Sequence, residues 1–210
     1  MYVPAQFRSD DDLAGLRIIR EHPFAILISV ADGKPITSHL PFIIGQTRPR
    51  LVLTAHCARA NPHWKHLNDN EAVVIFSGPH GYISARWYSD PTRDVPTWNY
   101  AVVRCTGVAR LAGKAEAIQA LTLLTDQMEH GAAKPWRVAG MDTAYRESLI
   151  PAIVPFSIEV AEMTTKLKLS QNRSDVDFKG ATSGLLATGR EADRLLAEEM
   201  IGTANRRRHR

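Results

Sequence analysis

A chain of 210 residues with 44% hydrophobic and 23% charged side chains can bury a sizeable core, which excludes a disordered or low-complexity protein. The formal excess of +4 is matched by Arg206, Arg207, Arg208 and Arg210 at the C-terminus, so the body is near neutral and basic charge is a tail property; the tail could touch nucleic acid electrostatically, but direct DNA binding is not favoured. Cys57 and Cys105 are too few for a disulfide framework, no apolar run could cross a bilayer, and the N-terminus has no charged-then-apolar signal layout, so a cytoplasmic protein is expected.

Taken in order, MYVPAQF reads as an extended arm, and Ser9 with Asp12 makes a capping-box-like start to a helix reaching about His22. FAILISV is an apolar strand and ADGK a hairpin turn with Asp-Gly at its centre. PITSHLPFII is one β-rich strand with a wet face, residues 45–50 are a basic turn, and LVLTAHC returns antiparallel. Asn61 takes the N-cap and Pro62 the first position of a helix. Arg59 beside that helix start makes a phosphate cradle, unless Asn61 only caps and Arg59 is solvated. EAVVIFSG is a strand, followed by a short strand, a loop broken by Pro91 and Pro96, and a long strand over 97–111. A helix over 114–130 has one apolar face, Asp142 caps a short helix, and AIVPFSIEV is a further strand. Helices over 174–187 and 190–201 are split by Thr188-Gly189. Short connections favour antiparallel neighbours, hence a barrel over a doubly wound sheet. One domain over 1–200, with a basic disordered tail over 201–210, is expected.

His56, His63, His66 and His80 cluster with Cys57, but the spacing is not that of a zinc site, and no metal is expected. No GxSxG elbow points to a hydrolase and no GxGxxG to a dinucleotide fold. Trp64, Tyr82, Trp87, Tyr88, Trp98 and Tyr100 are interleaved with Arg59, Lys65, Arg86 and Arg93. That mixture suits a flat conjugated ring carrying a phosphate, and equally suits core or interface anchors.

The ordered motifs MYVPAQF, PITSHLPF, LTAHCARANPHW, FSGPHGYISARWY, VPTWNYAVV and KLKLSQNRS closely resemble the PaiB-type proteins, FMN-binding negative transcriptional regulators. The resemblance implies the FMN-binding split-barrel fold of the pyridoxamine 5′-phosphate oxidase-like group. That fold is mainly β with peripheral helices (α+β), here a six-stranded antiparallel split β-barrel. It also implies a homodimer with FMN in the groove between protomers. Ser38, His39, Leu40 and Pro41 would then lie along the isoalloxazine, and Thr54, His56, Arg59 and Asn61 would surround the phosphate with Lys65 near. Trp87, Trp98 and Asn99 of the partner would close over the ring, and Lys168, Gln171, Asn172 and Arg173 would complete the site at the seam. The catalytic group is unknown from sequence; His39 is the candidate, with a hydrogen-bonded barrel histidine as its alternative. A flavin-dependent redox or flavin-linked regulatory protein is expected, an FMN-dependent oxidoreductase if it is an enzyme, with a small-molecule electron donor or acceptor. The alternatives are a transcriptional regulator acting on DNA directly or through a partner, and a split barrel that binds or degrades haem.

Overall fold

The structure, a computed structural model, describes residues 1–47 and 50–208; the centre of the expected basic turn, Arg48-Pro49, and the last two residues lie outside them. After a 3-10 turn at Ala5–Phe7 come β1 (Arg8–Ser9), α1 (Asp12–Glu21), β2 (Phe24–Ala31), β3 (Lys34–Pro41), β4 (Ile43–Thr47) and β5 (Arg50–Ala58). A 3-10 turn at Pro62–His66 leads to β6 (Glu71–Ile83), and another at Ala85–Trp87 precedes β7 (Thr97–Leu111). α2 (Lys114–Met128), α3 (Thr143–Leu149), β8 (Ile153–Lys168), α4 (Asp175–Ala187) and α5 (Glu191–Arg208) complete the chain. The strands form an eight-stranded sheet in the order β3-β2-β6-β7-β8-β5-β4, with β1 on β8. The fold is an α+β antiparallel split barrel, as expected, but with eight strands rather than six.

Two features account for the extra strands. The expected single strand PITSHLPFII breaks at Phe42, so that β3 pairs with β2 while β4 pairs with β5. Pro41 has no N–H to continue a ladder, and the Phe42 N–H donates instead to the Pro23 carbonyl at 2.9 Å. The Phe42 ring is fully buried, edge-on to Phe76 and Phe156 at 5.9 and 6.0 Å between centroids. The second addition is the two-residue β1, which pairs Arg8 with Lys166 and Ser9 with Thr165. Ser9 therefore does not cap α1. Asp11 does, accepting from the Leu13 N–H at 3.1 Å.

The chain divides into two compact units. The second unit is Ile19–Phe76 with Arg104–Met163. Its sheet begins at β3 and ends at β4, which are consecutive in the chain with only Phe42 between them. A sheet whose two edges are joined by one residue must roll up, which is why this unit is a barrel. The β2–β3 hairpin turns on Asp32 and Gly33, both at positive φ (51° and 73°), the conformation a two-residue turn between twisted strands requires. Gly107 admits the closest strand approach, since a Cβ there would sit 2.0 Å from the Glu159 carbonyl oxygen. Phe42, Phe76, Phe156, Leu27, Leu53 and Ile158 fill the interior.

The first unit is Met1–Ile18, Ser77–Val103 and Thr164–Arg210. Its helical pair, α4 and α5, begins at the Ser174 cap, which accepts from the Asp177 N–H. Leu185, Leu196, Ala197 and Met200 are buried. The expected disordered tail is corrected here: α5 continues to Arg208. Glu199, 7% exposed, accounts for the extension, because it accepts from Arg17 at 2.6 Å, from Thr203 at 3.1 Å and from Arg206 at 3.4 Å. Arg206, which would solvate a tail in isolation, here pairs with a buried carboxylate. No helix among the described residues is long and apolar enough to cross a membrane.

Candidate functional site

In the second unit, β5 alternates, burying Leu53, Ala55 and Cys57 and leaving Thr54 and His56 on the other face. Burial without a charged partner pushes the His56 imidazole below its ordinary range. Where β5 ends, Arg59 donates through Nε to the Pro151 carbonyl at 2.6 Å and through Nη2 to the Ile153 carbonyl at 3.1 Å. Those bonds fix the guanidinium and leave three of its five N–H donors for a ligand. The Trp64 indole N–H donates to the Arg59 carbonyl at 3.0 Å, and the ring carries two cations, Arg59 at 5.7 Å and Lys65 at 6.0 Å from its centroid.

The helix expected at Asn61 is one 3-10 turn, and Asn61 caps it, accepting from the His63 N–H at 3.0 Å. The Asn61 amide also donates to the Ser38 hydroxyl at 2.9 Å. Ser38 in turn hydrogen-bonds with His63 Nδ1 at 2.8 Å, and His63 Nε2 with Ser29 at 2.9 Å. This buried chain ties the middle of β3 to the turn that carries Trp64 and Lys65. His63 is 1% exposed, and burial, with His66 adding, pushes its imidazole below the ordinary range. Of the neighbouring positions on β3, His39 is exposed and stacks on Phe24 at 6.2 Å, while Leu40 and Pro41 are half-buried.

The remaining expected residues lie in the first unit. Trp98 is 49% exposed and stacks on His80 at 6.0 Å. Trp87 lies against α4, where a Cβ on Gly184 would come within 2.3 Å of its indole. Asn99 is buried and donates to Ser170 Oγ at 2.8 Å. Lys168 donates to Thr97 Oγ1 and to the Trp98 carbonyl at 2.9 Å, and burial pushes its ammonium below the usual range. Gln171 is folded onto its own strand end, bonding Leu169 and Leu167, and Asn172 is exposed. Arg173 pairs with Asp94 and lies 4.3 Å over the Tyr88 ring. The expected site residues thus gather into two groups, one in each unit. The sequence reading weighed His63 only as a metal ligand and missed Ser29, Asp94 and Ser170, which hold these groups; the side-chain partners are 25 or more residues away, so no local motif marks them.

A family model described as "Putative FMN-binding domain" matches residues 1–162. The chain is 34% identical over 179 residues to "Protease synthase and sporulation protein PAI 2" of Bacillus subtilis (strain 168), with 85% of this chain and 86% of the relative covered. Two solved structures share the fold. The "FAD and Heme binding protein from Mycobacterium smegmatis" matches at TM-score 0.62 and 19% identity, over 82% of this chain and 78% of that one. The "Flavocytochrome Anf3 from Azotobacter vinelandii" matches at TM-score 0.59 and 18% identity, over 82% and 75%. Fold and family together define the class, a flavin-binding split barrel. The chain belongs to the FMN-binding family of PaiB type.

The residues present fit such a cofactor. Arg59 and Lys65 form no ion pair among the described residues, and with the Thr54 hydroxyl, which can donate, they make a donor-rich set suited to a phosphate monoester. Leu40 and Pro41 offer apolar wall, and the half-exposed Trp98 offers an aromatic face for a conjugated ring.

Proposed function

We propose that this protein holds FMN at sites shared between two copies of the chain and uses it in a redox or flavin-linked regulatory role. The observation that carries the proposal is the pair of cations over the Trp64 indole, Arg59 and Lys65, which form no ion pair among the described residues. Arg59, Lys65, Thr54 and His56 would hold the phosphate. Ser38 and Asn61 contribute by position, since their polar atoms are engaged with each other and with His63. The β3 segment 38–41 would line the ring, and Trp87, Trp98 and Asn99 of the second copy, with its Lys168, Gln171, Asn172 and Arg173, would close the groove. Exposure of Trp98, Tyr82 and Val95 in the first unit, at 49%, 45% and 70%, supports such a covering copy. Bound FMN supplies one- and two-electron transfer to a small donor or acceptor. The chain's own part is to anchor the phosphate, exclude water with Trp98, and exchange protons at the exposed His39. An absorbance spectrum after FMN addition and desalting tests the proposal. Retained flavin bands at about one per subunit support it, and a colourless protein overturns it.

The regulatory branch draws support from the name of the Bacillus relative. On α5, Arg194 is ion-paired with both Glu191 and Glu198, which favours action through a partner over contact with DNA phosphates. Salt-resistant, sequence-selective retardation of DNA in a gel shift would reverse that preference.

A further inference from the structure

Within the first unit, residues from the start of β7 and the segment just before it, and from the end of β8 and the turn after it, line a hollow of about 140 Å³, bordered by Phe7. Its walls carry Lys168, Arg173, Asn99 and Asn172. Lys166, 9% exposed, is near enough to work against the charge on Lys168, as is Arg173. Lys166 donates to the Tyr2 carbonyl at 3.1 Å and lies 5.2 Å from the Tyr100 ring centroid. Three cations are therefore gathered together. Of the carboxylates facing them, Asp94 is paired with Arg173, and Asp177 accepts from Ser89 and Ser174. Lys166 and Lys168 have no carboxylate partner among the described residues.

Two further features mark the place. Ser170, on the wall, is a non-glycine residue held at φ 62° while 4% exposed, a conformation kept only where its surroundings impose it. The Arg173 guanidinium, also on the wall, is held 4.3 Å over the Tyr88 ring and by its pair with Asp94. Two lysines without a carboxylate of their own, a positioned guanidinium and an imposed backbone turn are the components of an anion seat. The volume is well below the roughly 300 Å³ at which pockets for drug-sized ligands begin, so it fits an oxyanion and not a flavin ring.

We propose that this hollow seats a phosphate or carboxylate group of a small molecule other than the flavin. The seat rests on the FMN proposal, which places Asn99, Lys168, Asn172 and Arg173 at the flavin groove, and it names the substrate or effector of that groove as an anion.

The test is binding of inorganic phosphate to the full-length protein, followed by ³¹P line broadening, in the absence of flavin and with saturating FMN or riboflavin. Retained flavin absorbance in the same samples reports the cofactor proposal separately. Binding is expected in all three states, weakened about tenfold or more by Lys168→Met and largely kept by Lys168→Arg. Asn172→Leu, at an exposed position, should weaken it too and leaves the buried charges intact, so misfolding does not obscure the result. Absence of phosphate binding, or equal binding by wild type, Lys168→Met and Asn172→Leu, overturns the proposal. Loss of phosphate binding with FMN but not with riboflavin also overturns it, because the hollow would then be the cofactor's own phosphate seat.

Discussion

Arg59 divides its guanidinium between structure and ligand. Two N–H groups tie it to the carbonyls of Pro151 and Ile153, and the others are available to a phosphate. Arg59→Ala should therefore weaken FMN about tenfold to a hundredfold, the range for a charge-assisted hydrogen bond. Riboflavin, which lacks the phosphate, should be affected much less; equal weakening in paired titrations would remove Arg59 from the phosphate. His63 makes a different prediction. Burial lowers it and His56 from the ordinary value of 6.5. Below about 6.5 the unfolded chain then takes up protons that the folded chain refuses, so stability is full above that pH and declines as the pH falls. Thermal midpoints between about pH 7 and pH 5 should fall along that curve, and His63→Gln should flatten it. An unchanged slope would place the sensitivity elsewhere. Cys105 has its thiol pushed up to about 12 by burial, and Cys57 is raised by the same cause. Both should resist thiol reagents until the protein is unfolded.

Among the elements, α4 is shaped around one side chain. Gly180 and Gly184 lie one turn apart, and a Cβ on either would overlap Trp87, its carbonyl oxygen at 2.0 Å or its indole at 2.3 Å. Asp177, on the same helix, accepts from the Ser89 N–H at 2.8 Å and hydroxyl at 2.9 Å, so the helix grips the loop on both sides of Tyr88. Gly184→Ala should cost about 1–3 kcal/mol of overpacking and lower the melting temperature by several degrees, with a change in tryptophan emission. Gly140→Ala, where nothing lies within 4 Å of the added carbon, should be near neutral. Equal effects of the two would mean that α4 yields easily. In the barrel, Phe42 converts one strand into two, and its aromatic neighbours make Phe42→Ala a loss of about 3–5 kcal/mol by denaturant titration.

For the whole molecule, the FMN proposal makes pairing of two copies a prediction for solution. Light scattering on the FMN-loaded protein should give twice the chain mass. A monomer that still retains flavin would place the complete site within one chain. Trp98→Ala should change the fluorescence of bound flavin without unfolding the protein, since the ring is half-exposed; an unchanged signal would assign Trp98 to packing.

Elements whose signals are local were legible in the sequence. The Asp-Gly hairpin, the Asn61 and Asp142 caps and the alternation of β5 each follow from residues within a few positions of one another. The motifs from MYVPAQF to KLKLSQNRS also sufficed for the family and the barrel class. Tertiary structure decided what depends on distant partners. It broke PITSHLPFII at Phe42, because the Pro23 carbonyl and two distant rings claim that residue. It carried the basic C-terminus on as helix, because Arg17 and Arg206 converge on the buried Glu199. It also turned Ser29 and Ser38 inward onto His63, since a buried imidazole is hydrogen-bonded on both nitrogens. Local chemistry is written in neighbouring residues; burial and charge pairing are settled only when remote segments meet.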